Sequence, residues 1–430
     1  MAISLQKLRT IESPSQSFFR AWTAERAPQF AIGKAVRRPL PGGDSVTLPF
    51  VSQRWRGAEW RHELRLYRPA QVRCPTALLF LSGGDRSAAP AHRDEGRRLD
   101  GELTLFTAIA RQTGSVVGVL SHTLHQPMFG GLGENALIAH TFDRFMRDGD
   151  DDWPILVPMT AAVRRAMDVA QQLSAEMFSE EIALFTLAGF SKRAWAAWLA
   201  SVDPRIAGIA PIMMDFIDLP RQIAHQRHVW GGLSAHLAPF AALGLPENLA
   251  SERGKRLLEM VDPVRWPDQG TVARLVTSAS NDDYTPVDAP NLYLNRFAQP
   301  VPWSLIPNSR HGSMAFTEIL AGVAALHRRA IGGPPLPVLT GAAEAAGGKI
   351  YVSATSDVPP VGARIWVAHG ASTDLRECLW SSHPLDGPGR ALPYPEEGVL
   401  ALFVQADYGG GHERFSLATR VATFPGDRHR

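Results

Sequence analysis

A chain of 430 residues, 45% hydrophobic and 20% charged, can bury a large core and has the length of two or three domains. Its 44 basic and 42 acidic residues are spread along the sequence and leave a net charge of +2, so neither a basic stripe for nucleic acid nor a charged tail for a membrane surface is present. No run of about 18 apolar residues offers a membrane span, and the two distant cysteines, Cys74 and Cys378, suit neither a disulfide framework nor a thiolate metal site.

The first residues lack the apolar core and cleavage site of a secretory signal. The expected location is therefore cytoplasmic for the chain as written, or export if the chain begins after a removed signal. From 33 to 69, apolar and polar residues alternate, which predicts an opening antiparallel hairpin. Short continuous apolar runs follow at 77–81, 116–120, 182–187, 206–212, 273–277 and 301–306, the pattern of strands buried on both faces. Residues 159–173 and 316–329 carry the three-to-four spacing of helices packed on a sheet. The fold class expected over 1–330 is thus α/β with a mostly parallel central sheet, interrupted at about 216–263 by a helical cap. A proline-rich break opens a linker at 331–348, and short strands from 349 to 430 predict a small β-sandwich of immunoglobulin or fibronectin type. That sandwich either binds a partner or packs on the first domain.

The apolar run that breaks at Gly189-Phe190-Ser191 and resumes as a helix at Lys192 is the chemically informative segment. A sharp strand-to-helix turn of this kind exposes a serine hydroxyl, although a serine there also serves as an ordinary N-cap. A hydroxyl needs a histidine base and a carboxylate to orient it, in the chain order serine, acid, histidine. After the next strand beyond the cap stands Asn281-Asp282-Asp283, and Asp282 is favoured over Asp283 and Asp288, which read as loop solvation. His311 stands in the loop after the last strand and fits best among the 14 histidines. The oxyanion hole would use the N–H of Lys192 and one from Gly83 or Gly84 in the loop after the 77–81 run. The expected activity is a serine hydrolase cleaving an ester or an amide in a small molecule or peptide, with no cofactor and no metal.

Other residues carry weaker readings. Trp230, in the cap, is expected to wall the substrate pocket. His122 and His125 suit a pocket wall better than a metal pair, since no third ligand is evident. Glu134 reads either as a charge at a helix N-terminus or as the grip on a free amine in an aminopeptidase-like or dipeptidyl-peptidase-like enzyme. The rival to all of these is a non-catalytic binding protein on a hydrolase scaffold.

Further blocks at 51–62, 133–142, 156–160, 189–195, 261–263 and 307–311 make the chain resemble the PhoPQ-activated pathogenicity-related family of α/β-hydrolase-like proteins. The resemblance implies an α/β-hydrolase fold and explains Arg193, because the family carries Ser-Lys-Arg where most such turns have a small residue. It also implies mainly exported proteins and names no substrate. This chain departs from the family pattern at Ala194, where a glycine is usual, at Asn135, where an acidic residue is usual, and at Asn281, where a glycine is expected.

Overall fold

The computed structural model describes Trp22 and residues 31–84, 94–266, 272–312, 315–387 and 389–426, with backbone alone for 94–103. Short strands β1 (Ala31–Ile32) and β2 (Val36–Leu40) flank a long hairpin of β3 (Gly43–Trp55) and β4 (Ala58–Pro69). Its two-residue turn, Arg56-Gly57, has both residues at positive φ (48° and 79°), the turn whose twist matches that of the flanking strands. Val46, Leu48 and Phe50 face the core while Thr47, Pro49 and Val51 between them are less buried, as period-two alternation requires.

Beyond the hairpin the strands become short and apolar: β5 (Thr76–Leu81), β6 (Val117–Ser121), β7 (Leu184–Phe190), β8 (Ile206–Ile212), β9 (Ala273–Arg274), β10 (Val276–Ala279) and β11 (Trp303–Ile306). They assemble in the order β1-β3-β4-β6-β5-β7-β8-β10-β11, antiparallel as far as the β4–β6 pair and parallel from β6 to β11. Helices α1 (Asp94–Thr113), α2 (Glu134–Asp148), α3 (Leu156–Phe178), α4 (Lys192–Ala200), α5 (Leu219–Trp230), α6 (Ala238–Ala241), α7 (Leu245–Asn248), α8 (Glu252–Val261) and α9 (Phe316–Ala330) join these strands. The buried stripe of α3, including Met159, Val163 and Met167, packs with α4 in one core. Ile319, Val323 and Leu326 of α9 join Ile109 of α1 in a second core. Two helical layers explain why residues such as Leu78, Leu79 and Leu81 are apolar without alternation. Between β8 and β9 the chain leaves the sheet for α5 to α8, and none of the helices among the described residues is long and apolar enough to cross a membrane.

The C-terminal part contains β12 (Leu339–Ala346), β13 (Lys349–Ser356), β14 (Gly362–Gly370), β15 (Ser381–Pro384), β16 (Arg390–Pro393), β17 (Val399–Tyr408), β18 (Phe415–Ala418) and β19 (Ala422–Pro425). They form two antiparallel sheets, β12-β13-β16 and β15-β14-β17-β18, with β19 also on β17. The first of these strands corrects the sequence reading: 339–346, assigned there to the linker, pairs along its whole length with β13. Its Gly-, Ala- and Glu-containing sequence is mostly exposed at a sheet edge, so it carries no apolar run to announce it. Every residue of β17 is buried, because its two faces serve different cores. Leu400, Leu402 and Val404 fill the space between the two sheets, while Ala401 and Phe403 join the core of the α/β domain. The sandwich is therefore packed on the larger domain by one of its own central strands.

Candidate active site

β7 ends at Phe190 and α4 begins at Lys192, which leaves Ser191 alone to make the turn. It does so at φ 55° and ψ −128°, a conformation that costs a side-chain-bearing residue roughly 1–3 kcal/mol. Ser191 N donates to Ile212 O (2.8 Å) and Ser191 O accepts from Trp195 N (3.2 Å), so strand and helix hold it from both sides. Gly189 is demanded by the same turn. A β-carbon there would lie 3.0 Å from Ala194 N and 3.0 Å from the carbonyl carbon of Arg193, inside ordinary contact distance. The helix that follows is nearly all buried, with Trp195 Nε1 donating to Val261 O of α8 (2.5 Å).

The hydroxyl of Ser191 lies 3.0 Å from His311 Nε2, and His311 Nδ1 lies 2.9 and 3.1 Å from the two oxygens of Asp282. A ring nitrogen facing a carboxylate carries the proton, which leaves Nε2 as the acceptor for the serine hydroxyl. Asp282 follows β10 and also accepts from Tyr284 N (2.7 Å), and His311 follows β11 with its ring between those of Tyr284 and Phe190. The neighbouring acids go elsewhere: Asp283 pairs with His236 (2.9 Å) and Asp288 with His225 (2.7 Å), both histidines belonging to the cap.

Lys192 is the first residue of α4, so its N–H has no acceptor inside the helix. The 82–84 loop lies against the same helix start. A β-carbon on Gly83 would fall 2.6 Å from Arg193 Nη2, and one on Gly84, at φ 136°, would fall 2.5 Å from His122 Nδ1. A side chain at Gly83 would have to displace the Arg193 guanidinium, and one at Gly84 is disfavoured by its φ as well as by the His122 ring. His122 therefore backs this loop, its N donating to Gly83 O (3.0 Å), and it is not among the side chains lining the cavity beside Ser191. Glu134, the first residue of α2, receives Lys192 Nζ (2.5 Å), Arg193 Nη2 (2.7 Å) and Gln126 Nε2 (2.7 Å). Burial opposes its ionisation, but the Arg193 and Lys192 cations outweigh that and hold the carboxyl down at about 2. Burial likewise lowers the Lys192 ammonium, with Glu134 opposing the shift. Trp230 is placed away from Ser191: its ring receives the Arg376 guanidinium 4.2 Å from the centroid, in a cleft between α5 and the C-terminal domain. Among the described residues no three His, Cys, Asp or Glu side chains gather as a metal site.

A sequence profile of the family described as PhoPQ-activated pathogenicity-related protein matches residues 22–376, most of the chain. The chain belongs to this family. It is also 25% identical over 404 residues to the Autocrine proliferation repressor protein A of Dictyostelium discoideum, spanning 84% of this chain and 80% of that one. Among solved structures, an acetyl xylan esterase from Paenibacillus sp. R4 superposes with a TM-score of 0.50 at 14% identity, covering 76% of this chain and 96% of the esterase. A glucuronoyl esterase from Solibacter usitatus aligns at 15% identity with a TM-score of 0.46, covering 71% and 86% respectively. The superposition on the acetyl xylan esterase, together with the strand order described above, shows the α/β-hydrolase fold.

In this member of the PhoPQ-related family, Asn281 is far from a neutral replacement for glycine. Its Nδ2 donates to Cys378 O (2.7 Å) and Arg376 O (3.0 Å), with Leu375 O at 3.4 Å, all on the connection between β14 and β15. Asn308, at φ 54° in the loop leading to His311, makes a reciprocal pair with Trp380: Nδ2 donates to Trp380 O (2.9 Å) and Oδ1 accepts from Trp380 N (2.8 Å). Ser280 Oγ joins the two loops, donating to Asn281 Oδ1 (2.6 Å) and accepting from Asn308 N (2.8 Å). The loops carrying Asp282 and His311 are thus tied to each other and to the C-terminal domain.

Beside Ser191 opens a cavity walled by Ile138 and Phe142 of α2, Trp195 of α4, Ile223 of α5, Phe240 of α6 and Leu257 of α8. Asp215, just beyond β8, also touches it. This carboxyl is buried, accepts from Tyr293 Oη (2.6 Å), and is pushed up to about 6 by burial, with the Asp282 charge adding to the shift. Sequence reasoning missed Asp215, Asn281 and Asn308 as members of this constellation. Only Asn281 had a signal, its departure from the family glycine.

Proposed function

We propose that the protein is a serine hydrolase that cleaves esters through an acyl-enzyme, with Ser191 as nucleophile, His311 as base and Asp282 as its orienting acid. The observation that carries this reading is the continuous hydrogen-bonded series from Ser191 Oγ through the His311 ring to both oxygens of Asp282. In the first half-reaction, Oγ bonds to the ester carbonyl carbon while its proton passes to His311 Nε2. The carbonyl–alkoxide bond then breaks, and His311 returns that proton to the departing alcohol. Water repeats the sequence on the acyl-enzyme and releases the acid. The negative oxygen formed at each step faces the Lys192 N–H and the Gly83-Gly84 backbone, where one such donor is worth roughly 3 kcal/mol in serine hydrolases.

An ester is favoured over a peptide gripped by its free amine because Glu134 already binds two cations, Lys192 and Arg193, and has no charge left over for a third. A fluorophosphonate probe tests the nucleophile. Labelling of the native protein that disappears in Ser191→Ala is expected, and equal labelling of both would refute the assignment. Turnover of aminoacyl amides in preference to simple esters would move the activity to the peptidase class.

A further inference from the structure

The cavity beside Ser191 has a wall that is mainly hydrocarbon, and three of the polar side chains on it are already engaged by the protein. Lys192 Nζ is held by Glu134, Asp215 by Tyr293, and Asn135 Nδ2 donates to His236 O (2.9 Å) and to Tyr284 Oη (3.2 Å). A sugar or a charged group entering this space would give up its hydrogen bonds to water and regain few of them. An apolar group entering it would gain by leaving water.

We propose that this cavity receives the acyl half of the ester, and that the acyl group is an apolar chain or ring larger than acetyl. The inference rests on the hydrolase reading above, and the chemistry of that reading decides which half enters. Once the Oγ–carbonyl bond forms and the carbonyl–alkoxide bond breaks, the alcohol must diffuse away and a water must take its place. The acyl group stays bonded to Ser191 throughout. An apolar recess under α5 to α8 suits the half that does not leave, while the leaving alcohol and the incoming water need an open path to His311. Phe142, Phe240 and Trp195 suit either an aliphatic chain or a flat ring, and the mainly hydrocarbon wall argues against a hydroxylated acid such as a uronic acid.

The test uses the full chain and a series of p-nitrophenyl esters with acetyl, butyryl and octanoyl groups. Each methylene buried in such a cavity is worth at most about four-fold. The expected result is a kcat/KM at least ten-fold higher for octanoate than for acetate, with Leu257→Trp lowering that ratio at least ten-fold. A flat or falling series overturns the inference. A second measurement separates this inference from the one beneath it: calorimetric binding of octanoate and of acetate to Ser191→Ala, which needs no turnover. Octanoate at least ten-fold tighter supports the cavity's ligand class even if the fluorophosphonate fails to label the native protein. Equal binding overturns that class even where labelling succeeds.

Discussion

Replacing Asn281 by alanine is the sharpest test of how the C-terminal domain bears on the site. The side chain is 7% exposed and makes two short hydrogen bonds to carbonyls of the 375–378 segment, a third at 3.4 Å, and accepts one from Ser280. Alanine removes these partners and leaves two part-buried carbonyls, the more distant Leu375 carbonyl and one hydroxyl to find others. Each buried group left unsatisfied costs about 1–3 kcal/mol, and partial relaxation and water entry recover some of it, so a loss of about 3 kcal/mol is expected. The Asn308–Trp380 pair stays in place, so the domains remain docked and the variant folds. Urea unfolding reads the stability term. Ester turnover reads the other consequence: the loop that loses its tie carries Asp282, so kcat should fall about ten-fold while KM for the same ester changes little. Asn281→Gly should behave in the same direction, because glycine also lacks the amide. An Asn281→Ala protein within 0.5 kcal/mol of the parent and with unchanged kcat would refute the claim that the sandwich holds the acid loop.

The remaining predictions concern charges and close contacts. Glu134→Gln leaves Lys192 and Arg193 side by side without their counter-charge at the start of α4, so kcat/KM for esters should drop on the order of ten-fold through loss of the positioning of Lys192 N–H, measured by steady-state kinetics. Because the folded carboxyl titrates at about 2 against an ordinary 4.5, its stabilising contribution is present above pH 4.5 and is lost as pH falls towards 2. His327 is held neutral by burial, its value lowered to about 3, with Nδ1 against Thr186 Oγ1 at 2.9 Å. A histidine depressed in this way contributes no proton-linked loss above pH 6.5, and stability falls as pH drops from 6.5 towards 3, by up to about 5 kcal/mol for the full interval. Comparing His327→Gln with the parent by thermal unfolding at pH 7 and pH 4 isolates that term: the variant should lose markedly less stability between the two. Gly189→Ala forces a methyl against the backbone of α4 and should destabilise by about 1–3 kcal/mol while lowering labelling of Ser191 by a fluorophosphonate.

The sheet is legible in the sequence because strands buried on both faces leave unbroken apolar runs, and β5, β6, β7, β8 and β11 each lie on such a run. Ser191, Asp282 and His311 are legible for another reason: the chain order of strand ends restricts where an acid and a base can stand, and the structure brings those three side chains within hydrogen-bond reach. What is illegible depends on contacts between distant segments. Asn281 and Asn308 meet residues 375–380, roughly 70 to 100 positions later, and nothing local to either asparagine announces those partners. Trp230 shows the same limit from the other side, since an aromatic residue in a cap has one composition signal whether it faces a substrate or a neighbouring domain's arginine. β12 escapes because an exposed edge strand needs no apolar face.

The family's Ser-Lys-Arg sequence fits together as one unit once the neighbours of Arg193 are considered. The guanidinium reaches over the 82–84 loop so closely that a side chain on Gly83 would have to displace it, and it ends on Glu134, whose backbone N is bonded to Gln126 Oε1 (2.8 Å). Gln126 Nε2 in turn donates to Gly84 O (3.2 Å). A small residue at position 193 would leave Lys192 Nζ alone to tie the start of α4 to Glu134. With arginine there, the two segments proposed to supply oxyanion N–H groups are joined more firmly, through Glu134 and Gln126, into one closed ring of contacts. Glu134 stands at φ 48° and Ser191 at φ 55°, both on the positive side, and side-chain-bearing residues held there persist where the surroundings over-determine them. The ring supplies that determination, so the charge at Glu134 is better understood as a fixture of the turn than as a hand extended to substrate.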